Sequence, residues 1–534
     1  MFYLFGVLLL GIVVLVHEFG HFIVARLCGV RVEVFSIGFG KALCKLKRGD
    51  TEYRISLVPL GGYVKMSGEN PSEQEENEDK NIDPDLLFSH KKWWQKVCIV
   101  FAGPLFNILF TAVVLFVVSF FRLTAPSSLI EHVDPNGPAA AAGMVDGDII
   151  VKMGNHEIKV WEDITPPLTE LLENGECREI PVVVNRDGKL ITLNVHPQTD
   201  TYKDDFGEEQ VRCVLGVVRA PADATIVNLN NYPNLKNGDK ILSVDGIEID
   251  RFYKLKKLVE KPFREMKLIR DGKEMTVKFD QEGEFKKPEL LHGGLIVSSV
   301  KKDGYTEKVG IRTGDAVLGI NGIEITAPFK FYSEMKKLSS GDPVKLEILR
   351  DGERRNIDFT LESETKTDEM TGIASQRINW DAQFAFSYDV PEVMARRGNP
   401  VGYVFKYAAT ETAKMFLLTV KGFWYMISGK LSVKSVGGPI MIFDITKRAA
   451  ELGADYFLYI MAVISINLGI INLMPIPVMD GGYVVIYTIE GIRRKSISPK
   501  LLQRLLTAGM VILFALMALA MTNDISRFFN VFNS

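Results

Sequence analysis

Apolar residues crowd into four stretches of this chain. Phe2 to Val16 carries no charge and runs on through His17, Glu18 and His21 to Ala25. Val97 to Phe121 is a run of 25 uncharged residues, and Tyr456 to Met474 and Leu505 to Met521 follow much later. About 20 apolar residues cross a bilayer as a helix, so the pattern predicts four transmembrane helices. A cleaved leader is a poor account of the first run, because no basic residue precedes it and no small-residue cleavage site follows. Basic residues gather in the two loops that fall on the same side: Arg26 to Lys96 between the first two spans, and Arg493 to Arg504 between the last two. Basic short loops stay in the cytoplasm, which sends both termini and the segment from about Leu123 to Asp455 outside. The acidic run from Glu69 to Asp85 is expected to be a solvated excursion of the first loop.

The long outer segment is β-patterned and repeats. Gly147-Asp148-Ile149-Ile150 is followed by Asn155, Gly238-Asp239-Lys240-Ile241-Leu242 by Asp245-Gly246, and Gly314-Asp315-Ala316-Val317-Leu318 by Asn321-Gly322. Arg-Asp-Gly trails each, at 186–188, 270–272 and 350–352, between alternating segments that read as hairpin strands. Spacings of 91 and 76 residues suit small modules in tandem. The pattern resembles the PDZ domain, an α+β fold that adds an extended peptide to a sheet edge, often gripping its terminal carboxylate. Gly293-Gly294-Leu295-Ile296 stands where that family holds its carboxylate-binding loop. Boundaries are expected at 123–205, 206–288 and 289–365, with the middle copy lacking a comparable loop. Between 366 and 454, Tyr403, Tyr407, Phe416, Val420, Phe423, Trp424 and Ile427 alternate with Lys406, Lys414 and Lys421, which predicts amphipathic helix resting on the membrane surface, with an ordinary core-facing helix as the alternative. The flanking parts, 1–122 and 455–534, hold the spans in pairs.

Composition narrows the partners. With 63 Lys+Arg against 66 Asp+Glu the net charge is −3, and no basic excess points to nucleic acid. Five cysteines exclude a disulfide-dense scaffold. Cys28, Cys44 and Cys98 fall where thiols stay reduced; Cys177 and Cys213 fall outside, where a disulfide between them is open, although sequence alone cannot bring their Cα atoms into range.

The sharpest chemistry is His17-Glu18-Phe19-Gly20-His21. Two histidines four apart share a helix face and can reach one metal ion, with Glu18 beside that face to take a proton from the attacking water. Ionisable groups within an apolar span are costly and mark function. Imidazole and carboxylate ligands suit zinc, and a catalytic site needs a third protein ligand. Asn472-Leu473-Met474-Pro475-Ile476-Pro477-Val478-Met479-Asp480-Gly481 breaks the third span at two prolines and offers Asp480 near membrane depth.

Together these motifs resemble the site-2 protease family of intramembrane zinc metalloproteases, and the tandem PDZ-like modules resemble its RseP type. The resemblance covers essentially the whole chain. It implies one zinc ion held by His17, His21 and Asp480, Glu18 as general base, and Asn472, Pro475 and Pro477 at the substrate or oxyanion. Gly61-Gly62-Tyr63-Val64-Lys65-Met66 resembles the family's re-entrant β-hairpin, whose edge would hold the unwound substrate. Gly103-Pro104 with Asn107, and Gly437-Gly438-Pro439, resemble two further family motifs. The family implies a bacterial inner-membrane enzyme of the stress response, its site toward the cytoplasm and its modules in the periplasm. Its substrate is a pre-trimmed single-span protein of the anti-sigma-factor kind, or a signal-peptide remnant; its other partners are the lipid bilayer and peptide termini at the modules. RseP-type proteases usually carry two modules, whereas three are counted here. Two other readings remain: a membrane scaffold that binds peptides without metal, and an ion transporter, which the lack of an inverted repeat disfavours.

Overall fold

The computed structural model describes residues 2–69, 83–173, 175–203, 208–279, 285–367, 374–385, 390–430 and 437–533. Most of the acidic excursion falls outside them. The chain forms two compact units: Met1–Leu123 and Asn399–Ser534 with Thr367–Ile373, and Thr124–Lys366 with Ala374–Gly398.

The first unit contains α1 (Phe2–Leu27), α2 (Trp93–Phe121), α3 (Pro400–Ile427), α4 (Pro439–Leu452), α5 (Ala454–Asn472), α6 (Asp480–Arg493) and α7 (Pro499–Asn533). Phe5–Leu27, Trp93–Phe121, Ala454–Asn472 and Pro499–Ser526 are long and apolar enough to cross a membrane. These are the four expected runs. Helix answers their need because it satisfies every main-chain group internally where water is absent. Leu9, Val13, Leu115, Val118, Ala462 and Ile466 form the core between α1, α2 and α5. Small residues bring the backbones close there. A Cβ on Gly20 would stand 2.5 Å from the Ala102 carbonyl, and one on Gly469 3.0 Å from that of Pro104.

Helix α3 turns one face to the other helices of its unit, the core-facing alternative that its amphipathic pattern leaves open. It packs along the spans through Ala408 and Met415, Arg122 of α2 donates to Tyr407 Oη at 2.6 Å, and Thr419 donates to Asn467 of α5 at 2.8 Å. Amphipathicity here serves helix packing: the polar groups tie α3 to its neighbours, while Phe405, Leu417, Trp424 and Ile427 stay exposed on the other side.

Two long strands, β1 (Val32–Arg48) and β2 (Thr51–Met66), pair antiparallel and fold back on themselves. Val34 to Ile37 stands between two partners, Lys65 to Gly62 on one side and Glu52 to Ile55 on the other, and Glu52 to Ser56 pairs in turn with Lys47 to Ala42. Gly62 to Met66 is therefore an edge, with no second strand beside it among the described residues. Phe22 of α1 packs on Phe35 and Tyr53, with ring centroids at 5.3 and 6.0 Å, and so fixes the sheet against the helix.

Among the described residues, the second unit holds three four-stranded sheets, each at the centre of one copy of the repeat. In the first, strands run in the order Lys189–Val195, Ile180–Arg186, Ile149–Met153, His156–Glu157. The other two repeat this arrangement around Lys240–Val244 and Ala316–Ile320, the uncertain middle copy included. The sequence repeat has a physical reason. Asp148, Asp239 and Asp315, each at most 1% exposed, pair with Arg186, Arg270 and Arg350 at 2.8, 2.6 and 2.7 Å. Each guanidinium forks onto both carboxylate oxygens, the geometry that makes a buried pair worthwhile. The aspartates of Arg-Asp-Gly (Asp187, Asp271, Asp351) have φ near +50°, the left-handed turn a tight hairpin needs.

The expected module boundaries move. Each module closes by pairing its first strand with one that comes later: His132–Val133 with Val217–Val218, Ile226–Asn228 with Leu290–His292, and Val297–Val300 with Ala382–Phe384. Local periodicity does not reveal these short pairs. A disulfide joins Cys177 to Cys213, with Cα atoms 5.8 Å apart, and pins the hairpin that leads to the first closing strand.

Ion pairs also cross between modules. Asp146 accepts from the Val133 amide at 2.7 Å and meets Lys256 of the second module at 2.8 Å. Burial works against its charge, but the His132 imidazole and the Lys256 ammonium prevail and hold the carboxyl down to about 2. An acid depressed in the folded state stabilises above its unfolded pKa, near 4, and that contribution is lost as pH falls through about 2. The stability of wild type over Asp146→Asn, followed by hydrogen exchange, is expected to reach about 2 kcal/mol above pH 4 and to vanish near pH 2.

Candidate active site

Helix α1 carries His17 and His21 one turn apart, so both imidazoles leave the same face. Helix α6 begins at Asp480 and supplies the carboxylate. His17 Nε2 lies 3.0 Å and His21 Nε2 3.5 Å from Asp480 Oδ2, and the two nitrogens are 3.2 Å apart. Asp480 Oδ2 is buried and faces both imidazoles. Two imidazole nitrogens and one carboxylate oxygen converging within 4.8 Å fit a zinc ion with three protein ligands.

Neighbouring groups hold the donors in place. His21 Nδ1 donates to the Ile99 carbonyl at 2.9 Å. The carboxamide nitrogens of Asn107 and Asn472 stand 3.2 Å from His17 Nδ1 and Nε2 respectively. Gly103 lets α2 pass behind the imidazoles, since a Cβ there would lie 2.3 Å from His21 Nε2.

Asp480 reaches the site because the chain breaks before it. Helix α5 ends at Asn472, and Pro475 and Pro477 prevent its continuation. Val478 takes φ +92°, a conformation a β-branched residue adopts only under constraint, at a cost of about 1–3 kcal/mol. Glycines make room for the break. A Cβ on Gly481 would stand 2.2 Å from the Leu473 carbonyl, and one on Gly509 of α7 would overlap that of Pro477.

The edge strand lies beside Glu18: a Cβ on Gly62 would be 2.9 Å from Glu18 Cγ. Tyr63 Oη accepts from Arg54 at 3.3 Å, and Lys65 pairs with Glu33 at 3.3 Å, so these side chains belong to the sheet. Val64 packs in the adjoining core.

Gly293 to Ile296, read from sequence as a carboxylate-binding loop, belongs to the other unit and has a different character. It is a buried turn between the second and third modules. Three of its four amides are engaged: Gly293 donates to Thr225 O at 2.8 Å, Gly294 to His292 Nδ1 at 3.0 Å, and Ile296 to Gly293 O at 2.9 Å. A cavity of about 760 Å³ lies instead where the closing strands of the modules meet, lined by Val218, Phe252, Leu291, Tyr332 and Phe384.

One residue escaped sequence reading. Asp524 of α7, 3% exposed, accepts from the amides of Gly438, Ile440 and Met441 at 2.9, 2.9 and 3.2 Å, capping α4 at the Gly437-Gly438-Pro439 motif. A carboxylate there matches the helix dipole. Its signal was an acidic residue at the end of an apolar run.

Two histidines and an aspartate gathered among long apolar helices are a donor set that fits a metalloprotease built within the membrane. The family model described as Peptidase family M50 matches residues 5–516. A protein named as a zinc metalloprotease from Neisseria meningitidis is 30% identical over 531 residues, 98% of each chain. The "Regulator of sigma-E protease RseP" of Salmonella typhimurium is 28% identical, covering 98% of this chain and 97% of its own. That of Escherichia coli is 27% identical over 97% of each. A PDZ domain of the SdrC-like protein from Listeria monocytogenes aligns with 17% of this chain at 21% identity and a TM-score of 0.14. The chain belongs to Peptidase family M50 and is an intramembrane zinc metalloprotease.

Proposed function

We propose that His17, His21 and Asp480 hold the zinc ion, that Glu18 is the general base, and that the enzyme cleaves single-span membrane proteins already trimmed of their outer domain. The observation that carries this reading is the convergence of the three donor atoms beside a half-buried glutamate and the edge of a strand. Bound zinc polarises the scissile carbonyl and acidifies water. Glu18 then takes the proton from the attacking water and returns it to the leaving amine. A substrate helix hides its carbonyls in its own hydrogen bonds, so it unwinds first. Gly62 to Lys65 pairs with the opened strand through its main chain. Asn472 anchors the substrate beside the scissile bond, and Pro475 and Pro477 hold the turn that aims Asp480.

The site faces the cytoplasmic side of a bacterial inner membrane, following the basic loops, and the three PDZ-like modules stand in the periplasm. Substrates of the anti-sigma-factor kind fit this layout, with peptide termini captured by the modules. The test is cleavage of a single-span model substrate by the purified full chain in detergent. A zinc chelator is expected to abolish cleavage and added zinc to restore it. Cleavage that persists through complete zinc removal would overturn the reading.

A further inference from the structure

The proposal concerns Asn107 and rests on the ligand set above. An imidazole that ligates through Nε2 keeps its proton on Nδ1 and needs an acceptor there. His21 has one, the Ile99 carbonyl at 2.9 Å. His17 turns Nε2 toward Asp480, and among the described residues its one hydrogen-bonding neighbour at Nδ1 is the Asn107 carboxamide, at 3.2 Å. Asn107 is 0% exposed, and its carboxamide oxygen is a buried acceptor without a partner. The two ends of a carboxamide have the same form, so hydrogen bonding decides which end faces a neighbour. An NH2 group opposite an Nδ1–H would leave two donors facing each other and the oxygen orphaned. With the oxygen toward His17, the Nδ1 proton and the orphaned acceptor satisfy each other.

We infer that Asn107 is a positioning residue: its carboxamide oxygen accepts the Nδ1 proton of His17 and so holds that imidazole with Nε2 free for zinc. The residue is well anchored for the task. Its main-chain carbonyl accepts from Thr111 Oγ at 2.9 Å and from Ser465 Oγ of α5 at 3.0 Å. Gly469 packs against its side chain, a Cβ there falling 3.2 Å from Asn107 Cβ. Helix α2 thereby supplies an acceptor behind each imidazole, a main-chain carbonyl for His21 and a side chain for His17.

The test reads zinc itself. Zinc affinity of the purified full chain is measured by competition with a chromophoric chelator for wild type, Asn107→Leu and Asn107→Asp. Losing a partner of this kind costs about 10–100-fold in metal affinity, so Asn107→Leu is expected to bind zinc that much more weakly. Asn107→Asp presents an acceptor oxygen whichever way it turns, and is expected to stay within about threefold of wild type. A packing role predicts the reverse, because leucine has nearly the same volume and a buried carboxylate is the harsher change. Leucine matching wild type, or aspartate falling as far as leucine, overturns the proposal. Asn107→Ala carries the same expectation as leucine should that variant not fold. A wild-type chain that binds no zinc would instead sink the ligand assignment.

Discussion

Glu18→Gln is expected to lower cleavage of a single-span substrate by about 10²–10⁴-fold while leaving the zinc content of the purified protein unchanged. Glutamine has the same size and keeps the contact with the Gly62 edge, where a Cβ would approach Glu18 Cγ to 2.9 Å. What it loses is the capacity to take a proton. Glu18 is not among the three converging donors, so their hold on the metal should survive. The split between activity and metal content is the informative quantity. Loss of both together would make Glu18 a ligand, and cleavage within tenfold of wild type would remove it from the mechanism.

Gly103→Ala is the second large effect, and it acts without touching a chemical group. Its Cβ would stand 2.3 Å from His21 Nε2, 2.6 Å from His21 Cε1 and 2.9 Å from His17 Cε1. Helix α2 has little room to retreat, because it is closely packed at Ala102 against Gly20 and at Pro104 against Gly469. The imidazoles must move instead, by roughly an ångström, and a displacement of that size can cost about 10²-fold in rate. Zinc affinity is expected to fall with activity, in contrast to Glu18→Gln. Gly11→Ala is the control: it lies in α1, the helix that carries the two imidazoles, nothing comes within 4 Å of its Cβ, and alanine is the better helix former by up to about 1 kcal/mol. Equal behaviour of the two variants would show that the space behind the imidazoles does not matter.

Both predictions start from features that were legible in different ways. His17 and His21 could be read directly, because a spacing of four on a helix fixes a shared face whatever surrounds it. Asp480 was nearly as plain, since Pro475 and Pro477 break an apolar span that would otherwise have no reason to stop. The Gly-Asp and Arg-Asp-Gly repeats were visible as pattern, though their buried pairing became intelligible only in the sheets.

Other features depended on partners far away in the chain. Gly293 to Ile296 has a suggestive composition, yet Thr225 and His292 use two of its amides. Helix α3 reads as a surface helix or a core-facing one until Arg122 and Asn467 are found against it. Asn107 looks like one polar residue in a long apolar helix.

The sequence alone determined the four long apolar helices, the tandem β-patterned repeat and the shared face of His17 and His21, because each depends on local hydrophobicity, turn chemistry or helical spacing. Tertiary structure decided the rest: which glycines stand behind the imidazoles, which strands close the modules, and which carboxylates are buried against which partners. Those outcomes hinge on contacts between residues up to several hundred positions apart, as between His17 and Asp480. Their energy is gained only when the whole packing is in place, and no local window of sequence contains it.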